Sequence, residues 1–275
     1  MDYLNYQFVD SEEFVKTYDE VPLWSASFGL LMLKHLELKA NETILDIGSG
    51  TGFPLVELAE RLGNSCKLFG LDPWKNANMR VHEKIKNYGI SNITLIESSA
   101  EQLPFEDQSL DLIVSNLGIN NFDKPDVVFR ECNRVLKASG RLVITTNLHG
   151  HWKELYEIWY LTLHEIGNEA YLKLIANEEA HRRNLAGVSQ LFTDNGFKIT
   201  NVVEDSFTMK FLDGSAFLNH HFIQLGWLAG WISLFPMSEL SMIFSKFEFN
   251  LNQYAARNGG LNLTVPMAYI AGEKL

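Results

Sequence analysis

The stretch ILDIGSGTGFP at residues 44–54 limits what this chain can fold into more than any other segment. An apolar run ends in Asp46, and Gly48, Gly50 and Gly52 follow at every second position. The run reads as a buried strand that stops in a tight turn, and glycines at that spacing leave the backbone bare for a ligand. A dinucleotide loop would read GxGxxG and offer a helix N-terminus to a pyrophosphate. Here the spacing is GxGxG, with Phe53 at the place of the third fingerprint glycine. A carboxylate at the strand's end repels a pyrophosphate and attracts an ammonium or sulfonium group.

Further short apolar runs follow the same rule. CKLFGLD (66–72), NITLIES (92–98), LDLIVSN (110–116) and GRLVITTN (140–147) read as strands apolar on both faces. Helix patterns near 53–63, 75–88 and 123–138 alternate with them. GFKITNVVE (196–204) and LNLTVPMAYIAG (261–272) supply a sixth and a last strand, and Pro266 predicts a bulge or a strand confined to one side of it. The expectation is an α/β fold: a doubly wound, mostly parallel seven-stranded sheet with helical cap additions. Right-handed crossovers bring the carboxyl ends of its parallel strands to one edge, where ligands bind. One domain is expected over residues 1–275, with a helical cap at 1–40, a cofactor-binding core at 41–150 and a helical insertion at 205–260 over the substrate site.

The second strand run ends in Asp72. Its oxygens suit two vicinal ribose hydroxyls, and a hydrogen bond to a charged acceptor is worth about 1.5–3 kcal/mol. A ribose and a positive charge without a phosphate describe S-adenosyl-L-methionine. At this point the sequence resembles the class I, Rossmann-like S-adenosylmethionine-dependent methyltransferases of small-molecule type. ILDIGSGTGFP is similar to their first motif and LFGLDPW to their acidic second-strand motif. The likeness continues through SSAEQLPFEDQSLDLIVSN and CNRVLKASGRLVITT and covers about residues 24–147.

The resemblance implies roles by position. Asp46 with Gly48, Ser49, Gly50 and Gly52 would hold the methionine end, and Asp72 the ribose. Pro73 and Trp74 follow directly, Trp74 on the adenine face or as a helix–sheet packing residue. Ser99 and Ala100 stand where related enzymes usually show Asp-Ala, with Glu101 either on the adenine side or a solvated cap. Asn116 would lie beside the sulfonium and the acceptor's entry, and Tyr18 resembles an N-terminal aromatic that covers the cofactor.

The acceptor is less legible. A formal charge of −11 argues against nucleic acid, as does SNLGINNF, which lacks the prolines of the Asn/Asp-Pro-Pro-Tyr/Phe run. Two dispersed cysteines, Cys66 and Cys132, suit a reducing, cytoplasmic setting and supply neither a structural metal nor arsenic chemistry. Residues 216–235 carry no formal charge, yet interior polar residues and acidic flanks argue against a transmembrane segment; attachment to a membrane face stays open. Tyr3, Tyr6, Trp24, Trp152, Trp159, Phe217, Phe222, Trp227 and Trp231 make the additions aromatic-rich, which suits a dry pocket for a small, fairly apolar acceptor. If that acceptor needs a base, His149 ranks first, ahead of His151, His220 and His221; no metal site is expected. Competing readings are a non-catalytic S-adenosylmethionine-binding regulatory subunit and a nicotinamide-dependent oxidoreductase.

Overall fold

The computed structural model describes residues 2–19 and 23–275. Tertiary contacts divide the chain into two compact units. A sheet unit holds Asp10–Asn147, Asn184–Asp205 and Met267–Leu275, and a helical unit holds the chain up to Val9, Leu148–Arg183 and Ser206–Pro266. The expected cap at 1–40 therefore divides, with Asp10 onward packing as part of the sheet unit.

In the sheet unit the apolar runs form β1 (Thr43–Ile47), β2 (Lys67–Leu71), β3 (Ile93–Ile96), β4 (Leu110–Asn116) and β5 (Leu136–Asn147). The last two strands, β6 (Phe197–Phe211) and β7 (Leu261–Lys274), complete a seven-stranded sheet of order β3-β2-β1-β4-β5-β7-β6. The first five strands pair in parallel, and β7 lies antiparallel to β5. Ile44, Leu45, Leu112, Ile113, Val114, Val143 and Ile144 are all at most 2% exposed, which is why these segments read as apolar on both faces.

The helices are α1 (Glu12–Asp19), α2 (Leu23–His35), α3 (Leu55–Leu62), α4 (Lys75–Tyr88), α5 (Pro125–Val135), α6 (Lys153–Glu165), α7 (Leu172–Glu179) and α8 (Leu185–Asp194). Then come α9 (Gly214–Asn219), α10 (His221–Ile223), α11 (Ala229–Ser233) and α12 (Met237–Asn258). Within the sheet unit α1 packs on α4, and α2 on β4 and β5.

Several boundaries differ from expectation. The helix expected over 123–138 stops at Val135, because Leu136 is extended and the chain turns through Ser139 at φ 58° into Gly140. β5 accordingly starts at Leu136, with a register shift opposite Leu110/Leu112. β6 runs on to Phe211, so the insertion is extended at 205–211 and helical from Gly214. Pro266 causes no bulge. β5 and β7 pair up to Asn147–Met267, and the next residue, Leu148, donates its N–H to the Pro266 carbonyl at 3.0 Å. The Leu148 carbonyl, which a non-proline residue would have served, is taken instead by the His151 N–H at 3.2 Å. The ladder ends where the missing donor would be felt.

In the helical unit Trp152, Leu155, Tyr156, Trp159 and Leu163 are buried. Trp159 stacks on Phe247 of α12 at 3.5 Å between ring centroids. Asn250 joins the same two helices, donating to Thr162 Oγ1 at 3.0 Å and to Glu165 at 2.8 Å. Residues 216–235 form short helical pieces around a π-helical turn at Gln224–Leu228. Among the described residues no helix is long and apolar enough to cross a membrane.

Candidate functional site

The carboxyl ends of β1 and β2 are neighbours, since Ile47 pairs with Leu71. The residues just beyond them build the site. Gly48 and Ser49 donate N–H bonds to the Leu71 carbonyl at 2.8 and 3.3 Å, so the loop leaving β1 folds across the end of β2. The three glycines have φ of 74°, 50° and 97°, the left-handed region that a side chain disfavours. A Cβ at Gly50 would meet no atom within 4 Å, so the loop's crest faces open space. Phe53, three residues on, is fixed from behind: its ring fills the place a Cβ would take on Gly29 of α2.

Asp72 is wired into this loop. Its Oδ2 accepts the Gly50 N–H and its Oδ1 the Trp74 N–H, both at 2.8 Å. Two amides leave an ionised carboxylate with acceptor capacity to spare for ribose hydroxyls. Asn78, buried on α4, donates to the Asp72 carbonyl at 2.9 Å and holds the backbone behind the acid. Sequence reasoning missed it, and no motif marks it.

Asp46 is 1% exposed, and neither oxygen has a hydrogen-bond partner of good geometry among the described residues. Burial first, and then the charge of Asp72, push its carboxyl up to about 8, with the Leu55 amide opposing. Asp72 is also raised by burial, while the Trp74 and Gly50 amides pull it down. Two buried carboxylates at adjacent strand tips thus wait for positive charge. That donor set fits the ammonium and sulfonium groups and the ribose of S-adenosylmethionine, and it disfavours a pyrophosphate.

The other expected residues fall around this pair in the same unit. Trp74 is half-buried, donates Nε1–H to Asp10 at 2.8 Å, and meets the Tyr18 ring at 5.8 Å edge-on. Pro73 is exposed beside it. Ala100 is buried, whereas Ser99 is exposed and accepts the N–H of the part-buried Glu101 at 3.3 Å. Asn116 is committed on both sides: Nδ2–H to the Ser25 carbonyl at 3.2 Å, and Oδ1 from the Thr145 hydroxyl at 2.7 Å. A second polar pair, unread from sequence, joins Asn120 Nδ2–H to Asn147 Oδ1 at 2.9 Å. His149 lies in the helical unit, exposed, with its N–H on the Arg183 carbonyl. His151 is the buried one of the two.

Residues 45–144 match the family described as Methyltransferase domain. The chain is a class I S-adenosylmethionine-dependent methyltransferase. S-adenosylmethionine is its cofactor, and the nicotinamide reading is set aside. The methyltransferase is 27% identical over 184 residues to the demethylmenaquinone methyltransferase of Listeria welshimeri, a match covering 63% of this chain and 78% of that protein. Its fold is that of the YcgJ protein of Bacillus subtilis, with a TM-score of 0.60 at 19% identity, covering 90% and 98% of the two chains. A SAM-dependent methyltransferase from Aquifex aeolicus superposes with a TM-score of 0.54 at 20% identity over 72% and 93%.

Proposed function

We propose that the methyltransferase alkylates a small, fairly apolar organic molecule. The observation that carries the cofactor half of this reading is the buried pair Asp46 and Asp72 around the Gly48–Gly52 loop. In it, Asp46 and the loop hold the methionine end, Asp72 the ribose, Trp74 with Pro73 and Tyr18 the adenine face, Ser99, Ala100 and Glu101 the adenine edge, and Asn116 the side nearest the sulfonium. The acceptor half is supported by the relatives named demethylmenaquinone methyltransferase and by the aromatic filling of the helical unit.

The bound cofactor supplies a methyl group on a good leaving group. What the chain must add is alignment, and fixing two reactants in line is worth up to about 7–11 kcal/mol. Asn116 suits that task because both ends of its amide are pinned. For a hydroxyl or acidic-carbon acceptor, His149 is the proposed base, an effect of roughly a hundredfold or more.

The test is a single-turnover assay with methyl-labelled S-adenosylmethionine across quinols, phenols, amines and fatty acids. Label is expected in a quinol or phenol. Transfer confined to polar amines would overturn the apolar acceptor. Tight cofactor binding with no transfer to any class would favour a regulatory subunit.

A further inference from the structure

The helical unit carries a part-buried cation that makes no ion pair among the described residues. Arg182 lies past the end of α7, and its Nε is buried with no hydrogen-bond acceptor among the described residues. Burial pulls the guanidinium below its ordinary value, and Glu178 acts on it only through space, with no ion pair between them among the described residues. The next carboxylate along, Glu179, is committed to the Tyr160 hydroxyl at 2.5 Å. A buried N–H without an acceptor costs free energy that a ligand oxygen can recover.

What surrounds the cation is chemically specific. The His149 N–H bonds the Arg183 carbonyl at 2.9 Å, which ties the turn carrying His151 to the segment carrying Arg182. The His151 ring lies 4.4 Å from that of Trp152 and 6.2 Å from that of Trp227, and the two indoles are 4.7 Å apart. Tyr156, one helical turn beyond Trp152, is buried and feels the Arg182 charge, as does His151, which burial and that charge keep neutral. A planar guanidinium and a phenol hydroxyl are both donors, and the wall beside them is aromatic.

We propose that Arg182 and Tyr156 form an oxyanion site, walled by His151, Trp152 and Trp227, that takes a planar ligand through an ionised oxygen on an sp² carbon. A carboxylate and a phenolate or enolate share that chemistry. Calling this ligand the methyl acceptor rests on the reading of the preceding subsection. Arg182 would stabilise the acceptor's anion, and the stacked rings would orient its plane.

The probes are 2-naphthoate, 2-naphthol and neutral 2-naphthalenemethanol, titrated into the full chain with S-adenosylhomocysteine present and followed by tryptophan fluorescence and calorimetry. The wild type should bind naphthoate, or naphthol with proton release, at least tenfold more tightly than the alcohol. Naphthoate preference assigns a carboxylate source, and naphthol preference an ionised ring hydroxyl. Arg182→Gln should cut the preference below twofold without lowering the ligand-free melting temperature, since no ion pair of Arg182 is lost among the described residues. Arg182→Lys should restore part of the preference, and Tyr156→Phe, which leaves no cavity, should lower it about threefold or more. Equal affinity of the wild type for all three probes, or an undiminished preference in Arg182→Gln, overturns the site. A fall in melting temperature on Arg182→Gln assigns the guanidinium a structural role instead. S-adenosylhomocysteine binding measured alongside separates the two readings: its loss in the wild type counts against the methyltransferase site, while normal binding without anion preference sinks the oxyanion site alone.

Discussion

The sheet unit and the helical unit bury polar groups for opposite reasons. In the sheet unit Asp46, Asp72, Ser115, Asn116 and Thr145 sit at or next to strand ends, and most are served by the backbone or by each other. In the helical unit the core is ring upon ring, with Trp152, Trp159, Trp231, Phe217, Phe244 and Phe247 all at most 1% exposed. The first arrangement gathers polar groups at one sheet edge; the second maximises apolar burial. Mutations should therefore separate cleanly by unit. Trp159→Ala, which removes the partner of Phe247, should cost about 3–5 kcal/mol of stability in a denaturant titration while leaving the affinity for S-adenosylhomocysteine within about twofold once the protein is folded. A stability loss accompanied by lost cofactor affinity would break the distinction.

Asp72→Ala is the converse. It removes the acceptor of the Gly50 and Trp74 amides and, in the proposed site, of the ribose hydroxyls together. With about 1.5–3 kcal/mol for each bond to the charged group, cofactor affinity should fall at least a hundredfold in calorimetry. Retention of wild-type affinity would remove the ground for the site.

Asp46 gives a finer probe because its sign differs from that of an ordinary surface acid. Its carboxyl is raised to about 8 in the folded protein. The stability this contributes is therefore fully present below the unfolded value of about 4 and is lost as pH rises through about 8. Ligand-free protein should melt progressively lower from pH 5 to pH 8, and Asp46→Asn should flatten that slope while weakening the cofactor. A cationic ligand favours the ionised form. Binding at pH 7 should release a proton, seen as a binding enthalpy that varies with the buffer's ionisation enthalpy. Affinity should rise by up to about tenfold per pH unit below 8. A buffer-independent enthalpy would mean that the Asp46 carboxyl is already ionised without ligand.

The same contrast explains what the sequence could tell. The loop, the two acids and the strands around them are legible because each is fixed by its immediate neighbours: Asp46 is the last polar residue of an apolar run, and Asp72 lies one step past β2. Asn78 and the Asn120–Asn147 pair escaped because their partners lie 6 and 27 positions away, and no local pattern announces them. Arg182 escaped for the same reason. The groups that feel its charge, His151 and Tyr156, lie about thirty residues upstream, and an arginine after a helix reads as fully solvated until the fold covers its Nε. The extra length of β6 was hidden because its residues are largely exposed, as on an edge strand, so no apolar run marks it.

The smallest effect tests the weakest likeness. Ser99-Ala100 stands where related enzymes usually carry Asp-Ala, and the Ser99 hydroxyl spends itself on the Glu101 amide. If this turn meets the adenine edge, a carboxylate should serve the adenine amino group better than a hydroxyl. Bonds to a charged acceptor exceed neutral ones by about 1 kcal/mol, so Ser99→Asp should tighten S-adenosylhomocysteine roughly fivefold. The carboxylate can cap the same turn, which keeps the Glu101 N–H satisfied and the local backbone unchanged. The position is exposed, so stability should move by no more than about 0.5 kcal/mol. An adenosine titration isolates the effect, because adenosine lacks the methionine end that the proposed site assigns to Asp46. A gain seen with both ligands assigns the turn to adenine, whereas a change seen with neither would place the base elsewhere and leave Ser99 a turn residue.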